Sequence, residues 1–134
     1  MTYKSPAVGN EISCVFHGVS DTTINNHQKI KKLLLEALKK DNFRVLQASD
    51  YEFQPRGYTL AVLLGESHAA IHTYPEHHSI YFSIYSCRGI KDAQKTFEFF
   101  KKGINPTSID FVERPVIIKE GFIVPQSLLL AAKA

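Results

Sequence analysis

Residues 65–87, GESHAAIHTYPEHHSIYFSIYSC, form the densest run in this chain of side chains that do acid–base or nucleophilic chemistry. Glu66, Ser67, His68, His72, Glu76, His77, His78 and Cys87 all fall there, and four of the six histidines lie within eleven positions. A metal centre would need several of them to converge on one point. His68 and His72 share a face on a helix or a strand. The Ala, Ile and Thr around them favour a strand, where positions four apart stand about 13 Å from each other, too far to chelate one ion. No CxxC or HExxH pattern is present, and no metal site is expected. Nucleophilic hydrolysis would need Ser67 or Cys87 activated by an imidazole. Ser67 stands in Gly-Glu-Ser-His and not in a G-x-S-x-G elbow, while a Cys–His pair stays open.

A third reading comes from a resemblance. Glu66-Ser67-His68-Ala69-Ala70-Ile71-His72-Thr73-Tyr74-Pro75-Glu76-His77 closely resembles the processing-site motif of the prokaryotic S-adenosylmethionine decarboxylases. That family carries Glu-Ser-His, then Ile-His-Thr-(Trp or Tyr)-Pro-Glu, and a catalytic cysteine twenty residues after the serine in Thr-Cys-Gly. Here Cys87 follows Ser67 by twenty, in Ser-Cys-Arg. The resemblance is strong over residues 53–102 and weak outside them.

The resemblance implies self-cleavage of the Glu66–Ser67 bond, giving chains 1–66 and 67–134. The Ser67 hydroxyl would turn the amide into an ester, which leaves by β-elimination where an amide does not. Dehydroalanine would then hydrolyse to a pyruvoyl group, the cofactor. That group would form a Schiff base with the amine of S-adenosylmethionine and act as electron sink during loss of CO₂. By the same carry-over His72 transfers a proton in processing, Cys87 returns one to the substrate carbon, and Thr59 stands for a supporting serine hydroxyl. Phe53 would stack on adenine and Glu76 would hold the ribose hydroxyls. The product would feed aminopropyl transfer in spermidine synthesis. Ser67 and His72 are an odd number apart, so a regular strand would point them oppositely. A start of the strand after Ser67, or a bulge, is therefore expected, with Ser67, His72 and Cys87 clustered.

Several positions depart from the family pattern. Glu11 stands for its histidine in Gly9-Asn10-Glu11, Val15 for a later acidic residue, and Arg88 for the glycine after the cysteine. The altered first strand keeps two alternatives open: the same pyruvoyl chemistry on ornithine or arginine, and a non-catalytic relative that regulates a partner enzyme. Without the resemblance, Cys87 at a strand end reads as a small apolar residue and Phe53 reads equally as core.

These residues need elements to hold them. Residues 11–17 read as a strand. Asp21-Thr22-Thr23 offers the start of an amphipathic helix of about five turns, with Ile30, Leu33, Leu34, Ala37 and Leu38 on one face and Asp41-Asn42 as its stop. Strands are expected at 43–49, 58–64, 69–74, 79–87 and 107–114, with turns at Pro55-Arg56-Gly57 and Pro75-Glu76-His77-His78. A second helix is expected over 90–102, ended by Gly103. Val116–Ile118 reads as a short strand and Leu128–Ala132 as a helical turn. Short connections imply antiparallel pairing. The fold expected is α+β: a two-layer sandwich, mainly antiparallel, with two helices on one sheet face and the other face free for a second protomer.

A length of 134 residues suits one domain, residues 1–134. No run of eighteen apolar residues and no apolar leader occurs, so neither a membrane span nor a signal peptide is expected. Cys14 and Cys87 then read as reduced thiols in the cytoplasm. The +3 charge is spread over lysine pairs at 31–32, 39–40 and 101–102 with no aromatic–basic module, so no nucleic acid is expected as a partner. The partners expected are S-adenosylmethionine and a second copy, in a homodimer of processed protomers.

Overall fold

Alternation of Ile12, Cys14 and Phe16 with Glu11, Ser13 and Val15 makes one side of the first strand apolar, and the same two-residue period runs through most of the sheet. The computed structural model describes residues 2–119. In chain order these are β1 (Val8–His17), α1 (Asp21–Ile24), α2 (His27–Lys40), β2 (Val45–Glu52), β3 (Tyr58–Leu64), β4 (Ser67–Tyr74), a 3-10 turn at Pro75–His77, β5 (Ser79–Ser86), α3 (Gln94–Ile104) and β6 (Ser108–Ile117). The six strands form one sheet in the order β2-β3-β4-β5-β1-β6, and every pair is antiparallel. This is the α+β, two-layer architecture that the sequence implies.

The core lies between the sheet and the two long helices. Ile12, Cys14 and Phe16 of β1, Leu60 and Val62 of β3, Ile71 of β4 and Phe82 of β5 face Ile30, Leu34 and Leu38 of α2 and Phe97 and Phe100 of α3. Phe16 and Phe82 each meet Phe97 and Phe100 of α3, with ring centroids 5.4–5.9 Å apart. The other sheet face carries Glu11, Ser13, Thr59, Leu63, His68, His72, Tyr81 and Tyr85, and no described element covers it.

Several boundaries differ from the sequence reading: β2 begins at Val45 and not at 43, β4 at Ser67 and not at 69, and Gly103 lies inside α3, which ends at Ile104 with left-handed Asn105 (φ 55°) as its cap. The expected five-turn helix is broken: Ser20 caps the single turn α1, and Asn26 caps α2 by accepting from the Lys29 N–H at 3.1 Å. Two consecutive asparagines, Asn25 and Asn26, offer a side-chain acceptor where the hydrophobic stripe alone shows none. α3 starts at Gln94 and not at 90, because Lys91 and Ala93 take left-handed backbone conformations (φ 65° and 77°). Val116 and Ile117 belong to β6, which runs on through Pro115 because its far edge has no partner strand among the described residues. The helical turn expected at Leu128–Ala132 lies outside the described residues.

Candidate active site

Gly65 and Glu66 are the two-residue turn between β3 and β4, which pair from Leu64↔Ser67 onward. Glu66 has φ +68°, a left-handed conformation that costs a residue with a Cβ about 1–2 kcal/mol. The peptide bond after it leads into a crowded corner. Ser67 is 5% exposed and Cys87, just past the end of β5, is 7% exposed. The Cys87 backbone N–H donates to Ser67 Oγ at 3.2 Å, and Ser67 Oγ lies 3.7 Å from Cys87 Sγ. The Cys87 thiol reaches Glu66 Oε2 at 3.8 Å, and Tyr3 also donates its phenol to Glu66 Oε2. That bond to the carboxylate raises the pKa of the Tyr3 phenol above its ordinary value. Tyr3 has no signal in the sequence. It is brought in by the segment that precedes β1.

The remaining expected site residues sit elsewhere. His72 is paired with Thr59 across β3 and β4, and Thr59 Oγ1 lies 3.1 Å from His72 Nδ1. The register from Ser67 to His72 is continuous, with no bulge, and β4 begins at Ser67 itself. This corrects the expectation of one cluster. Ser67 points into the helix layer with Ala69 and Ile71, and His72 points to the open face with His68 and Ala70. Five residues of strand separate them by roughly 16 Å.

Phe53 and Glu76 lie at the His72 end of the sheet. Phe53 is half exposed, its ring edge-on to Tyr51 at 4.9 Å, and its N–H closes the 53–57 turn onto the Gly57 carbonyl at 2.9 Å. Glu76, on the 3-10 turn after β4, faces Arg56 of the 53–57 turn at 3.9 Å. The expected residues thus fall into two groups at opposite ends of β3 and β4. Glu66, Ser67 and Cys87 form one, and Phe53, Thr59, His72 and Glu76 form the other. His68, expected to share a face with His72, does so, and its ring leans on Tyr85 at 6.0 Å.

Glu11, the departure from the family pattern on β1, is held by Arg114 of β6 at 2.8 Å. Cys14 and Cys87 are both free thiols. Burial pushes the Cys14 thiol up to about 11, and it faces the helices, away from both groups. Among the described residues no cluster of His, Cys, Asp and Glu is placed to hold a metal ion, and no helix is long and apolar enough to cross a membrane.

Comparison with known proteins agrees with the fold and with the motif. The family model described as S-adenosylmethionine decarboxylase matches residues 10–115. An S-adenosylmethionine decarboxylase proenzyme of Picrophilus torridus is 32% identical over 127 residues, covering 92% of this chain and 98% of the relative. The proenzyme of Aquifex aeolicus is 35% identical over 103 residues, 77% of this chain and 76% of that one. The crystal structure of the Aquifex aeolicus adenosylmethionine decarboxylase superposes with a TM-score of 0.78 at 30% identity, covering 90% of this chain and 99% of that chain. A Trypanosoma brucei AdoMetDC shares the fold alone, at TM-score 0.58 and 15% identity over 78% of this chain and 45% of that one. This chain belongs to the S-adenosylmethionine decarboxylase family.

Proposed function

We propose that this chain is a self-processing, pyruvoyl-dependent decarboxylase of S-adenosylmethionine. The observation that carries the reading is the Glu66–Ser67–Cys87 corner: a buried hydroxyl, oriented by a backbone N–H at 3.2 Å, beside a peptide bond whose Glu66 is held in a left-handed conformation. The Ser67 hydroxyl attacks the Glu66 carbonyl, forming a C–O bond as the C–N bond breaks. The Cys87 N–H stabilises charge on Oγ as its proton leaves. A base then takes the Cα proton of residue 67 and Glu66 departs as a carboxylate, so chains 1–66 and 67–134 separate. Hydrolysis releases ammonia and leaves a keto group at residue 67.

The surroundings of residue 67 suit such a group. Its side chain meets Cys87, whose N–H and thiol converge there. A pyruvoyl group supplies a carbonyl that takes up the substrate amine and withdraws electrons as CO₂ leaves. Cys87, within 4 Å of that position, is the proton donor to the substrate carbon.

His72 does not reach Ser67 in its own protomer, and this argues for the homodimer. With its two-fold axis across the strands, a second copy laid against the open sheet face brings the Phe53–Thr59–His72–Glu76 end of one chain over the end of the other where the Glu66–Ser67 turn leaves the sheet. Two such sites arise from one isologous contact. Thr59 Oγ1 then holds the His72 ring for proton transfer, while Phe53 and Glu76 serve the adenine and the ribose of the substrate. The half exposure of Phe53 and the open, uncovered face carrying His72 support this arrangement.

The test is denaturing mass spectrometry of the purified chain. The expected result is two fragments split between residues 66 and 67, the second blocked by pyruvoyl, with Ser67→Ala remaining a single 15.1 kDa species. An uncut wild-type chain would sink the reading. Release of labelled CO₂ from S-adenosylmethionine, and not from ornithine or arginine, checks the substrate.

A further inference from the structure

Cys87 opens a loop whose backbone is not at rest. Lys91 and Ala93 both carry side chains in left-handed conformations, which persist only where surrounding contacts hold them. Those contacts converge on the residue that departs from the family's glycine. Arg88 grips Asp92 with both arms of its fork, Nε to Oδ2 at 2.7 Å and Nη2 to Oδ1 at 3.1 Å. The same guanidinium donates to the Asp41 carbonyl at 2.7 Å and the Asn42 carbonyl at 3.3 Å, at the end of α2, and lies 3.8 Å over the Phe43 ring. Asp92 also accepts from Ser86 Oγ, and its carbonyl accepts from Asn10 Nδ2 at 2.8 Å. Ser86 Oγ in turn accepts the Arg88 N–H at 3.2 Å. Cys87 thus sits between two residues, Ser86 and Arg88, that are both tied to Asp92.

We infer that Arg88 is a positioning residue: by locking residues 86–92 to the end of α2, it holds the Cys87 N–H and thiol against Ser67. Lysine would not replace it, since one ammonium cannot serve Asp92 and two carbonyls from a planar fork. The role rests on the self-cleavage reading of Ser67 and Cys87.

The experiment follows two rates in the full chain, wild type against Arg88→Gly, Arg88→Lys and a control, Ile30→Val, which loosens the core far from the site. Cutting at residues 66/67 is followed by denaturing mass spectrometry, and turnover per cut chain by CO₂ release. Arg88→Gly should slow cutting by about tenfold to a hundredfold, and lower kcat per cut chain with KM unchanged, the size expected for a small misplacement of a reacting group. Arg88→Lys should recover part of each rate. Ile30→Val, at a comparable loss of melting temperature, should cut at the wild-type rate. If Arg88→Gly fails to fold, Asp92→Asn takes its place. Cutting and kcat at wild-type values in the Arg88 variants, or losses matched by Ile30→Val, overturn the inference. An uncut wild-type chain overturns the self-cleavage reading beneath it, and the two failures are told apart by that control.

Discussion

The carboxyl of Asp92 is pulled in two directions. Burial pushes it up, and hydrogen bonds from Arg88 and Ser86 outweigh that and hold it below the usual carboxylate range. A folded-state value below the unfolded one stabilises the protein at pH above the unfolded value, about 4, and that stability is lost as pH falls through the folded value. Thermal unfolding followed from pH 6 to pH 2.5 should therefore show the wild type losing stability below about pH 4, and Asp92→Asn losing less over the same interval. Asp50, lowered chiefly by its bond to Tyr58, acts in the same window, so the difference between the two proteins is the quantity to read. Parallel curves would remove Asp92 from the account. Much at this scale was legible in the sequence. Ser67 and Cys87 are twenty apart because β4, the Pro75–His77 turn and β5 make one antiparallel pair that returns the chain to its starting end. The Arg88–Asp92 pair has the i, i+4 spacing of an ion pair, yet it lies in a loop, where no periodicity draws attention to it. Tyr3 was not legible at all, because nothing in sequence spacing links residue 3 to Glu66.

At the scale of elements, the two-residue period of the strands foretold that Ser67 and His72 diverge. What it could not supply was the reason to accept the divergence and not invoke a bulge. Register settles it, since Leu64↔Ser67 and Thr59↔His72 belong to one unbroken ladder. The break between α1 and α2 escaped notice for a related reason: a hydrophobic stripe reports which face is buried, not where the backbone groups are capped. Gly9 shows a constraint of the opposite kind, which a sequence displays but does not explain. A Cβ there would stand 2.4 Å from the Ser86 carbonyl oxygen and 2.9 Å from the Tyr85 hydroxyl. β1 and β5 approach closely at that rung, one step from Asn10↔Ser86 and immediately before Cys87. Gly9→Ala must spread the two strands, because the carbonyl belongs to backbone and cannot swing away. A loss of about 1–3 kcal/mol is expected, read from urea unfolding of the uncut Ser67→Ala background so that chain cutting does not enter the measurement. Unchanged stability would mean that the strands part there without cost.

For the whole molecule, the question is why seven site residues should be divided between two ends of one sheet. Within a single chain the division is a defect: the hydroxyl at Ser67 and the imidazole at His72 face opposite layers. In the proposed two-fold pair the His72 end of one chain lies over the Glu66–Ser67 turn of the other, so each chain would supply what its partner's turn lacks. The uncovered face between them carries Leu63, 53% exposed, beside His68, His72, Tyr81 and Tyr85, a mixture of apolar and polar groups suited to an interface that also encloses a ligand. The arrangement makes a prediction that a self-sufficient protomer would not. Ser67→Ala and His72→Ala chains, each expressed alone, should both stay uncut. Co-expressed with different affinity tags and purified as the mixed pair, the His72→Ala chain keeps its own Ser67 and receives His72 from its partner. It should be cut, while the Ser67→Ala chain beside it stays whole. Denaturing mass spectrometry of the tandem-purified pair reads both chains at once. If neither chain is cut in the mixed pair, His72 acts within its own protomer, and the two-fold site is wrong. If the His72→Ala chain alone is already cut at the wild-type rate, His72 has no part in processing, and the base must be sought among the other groups on the open face.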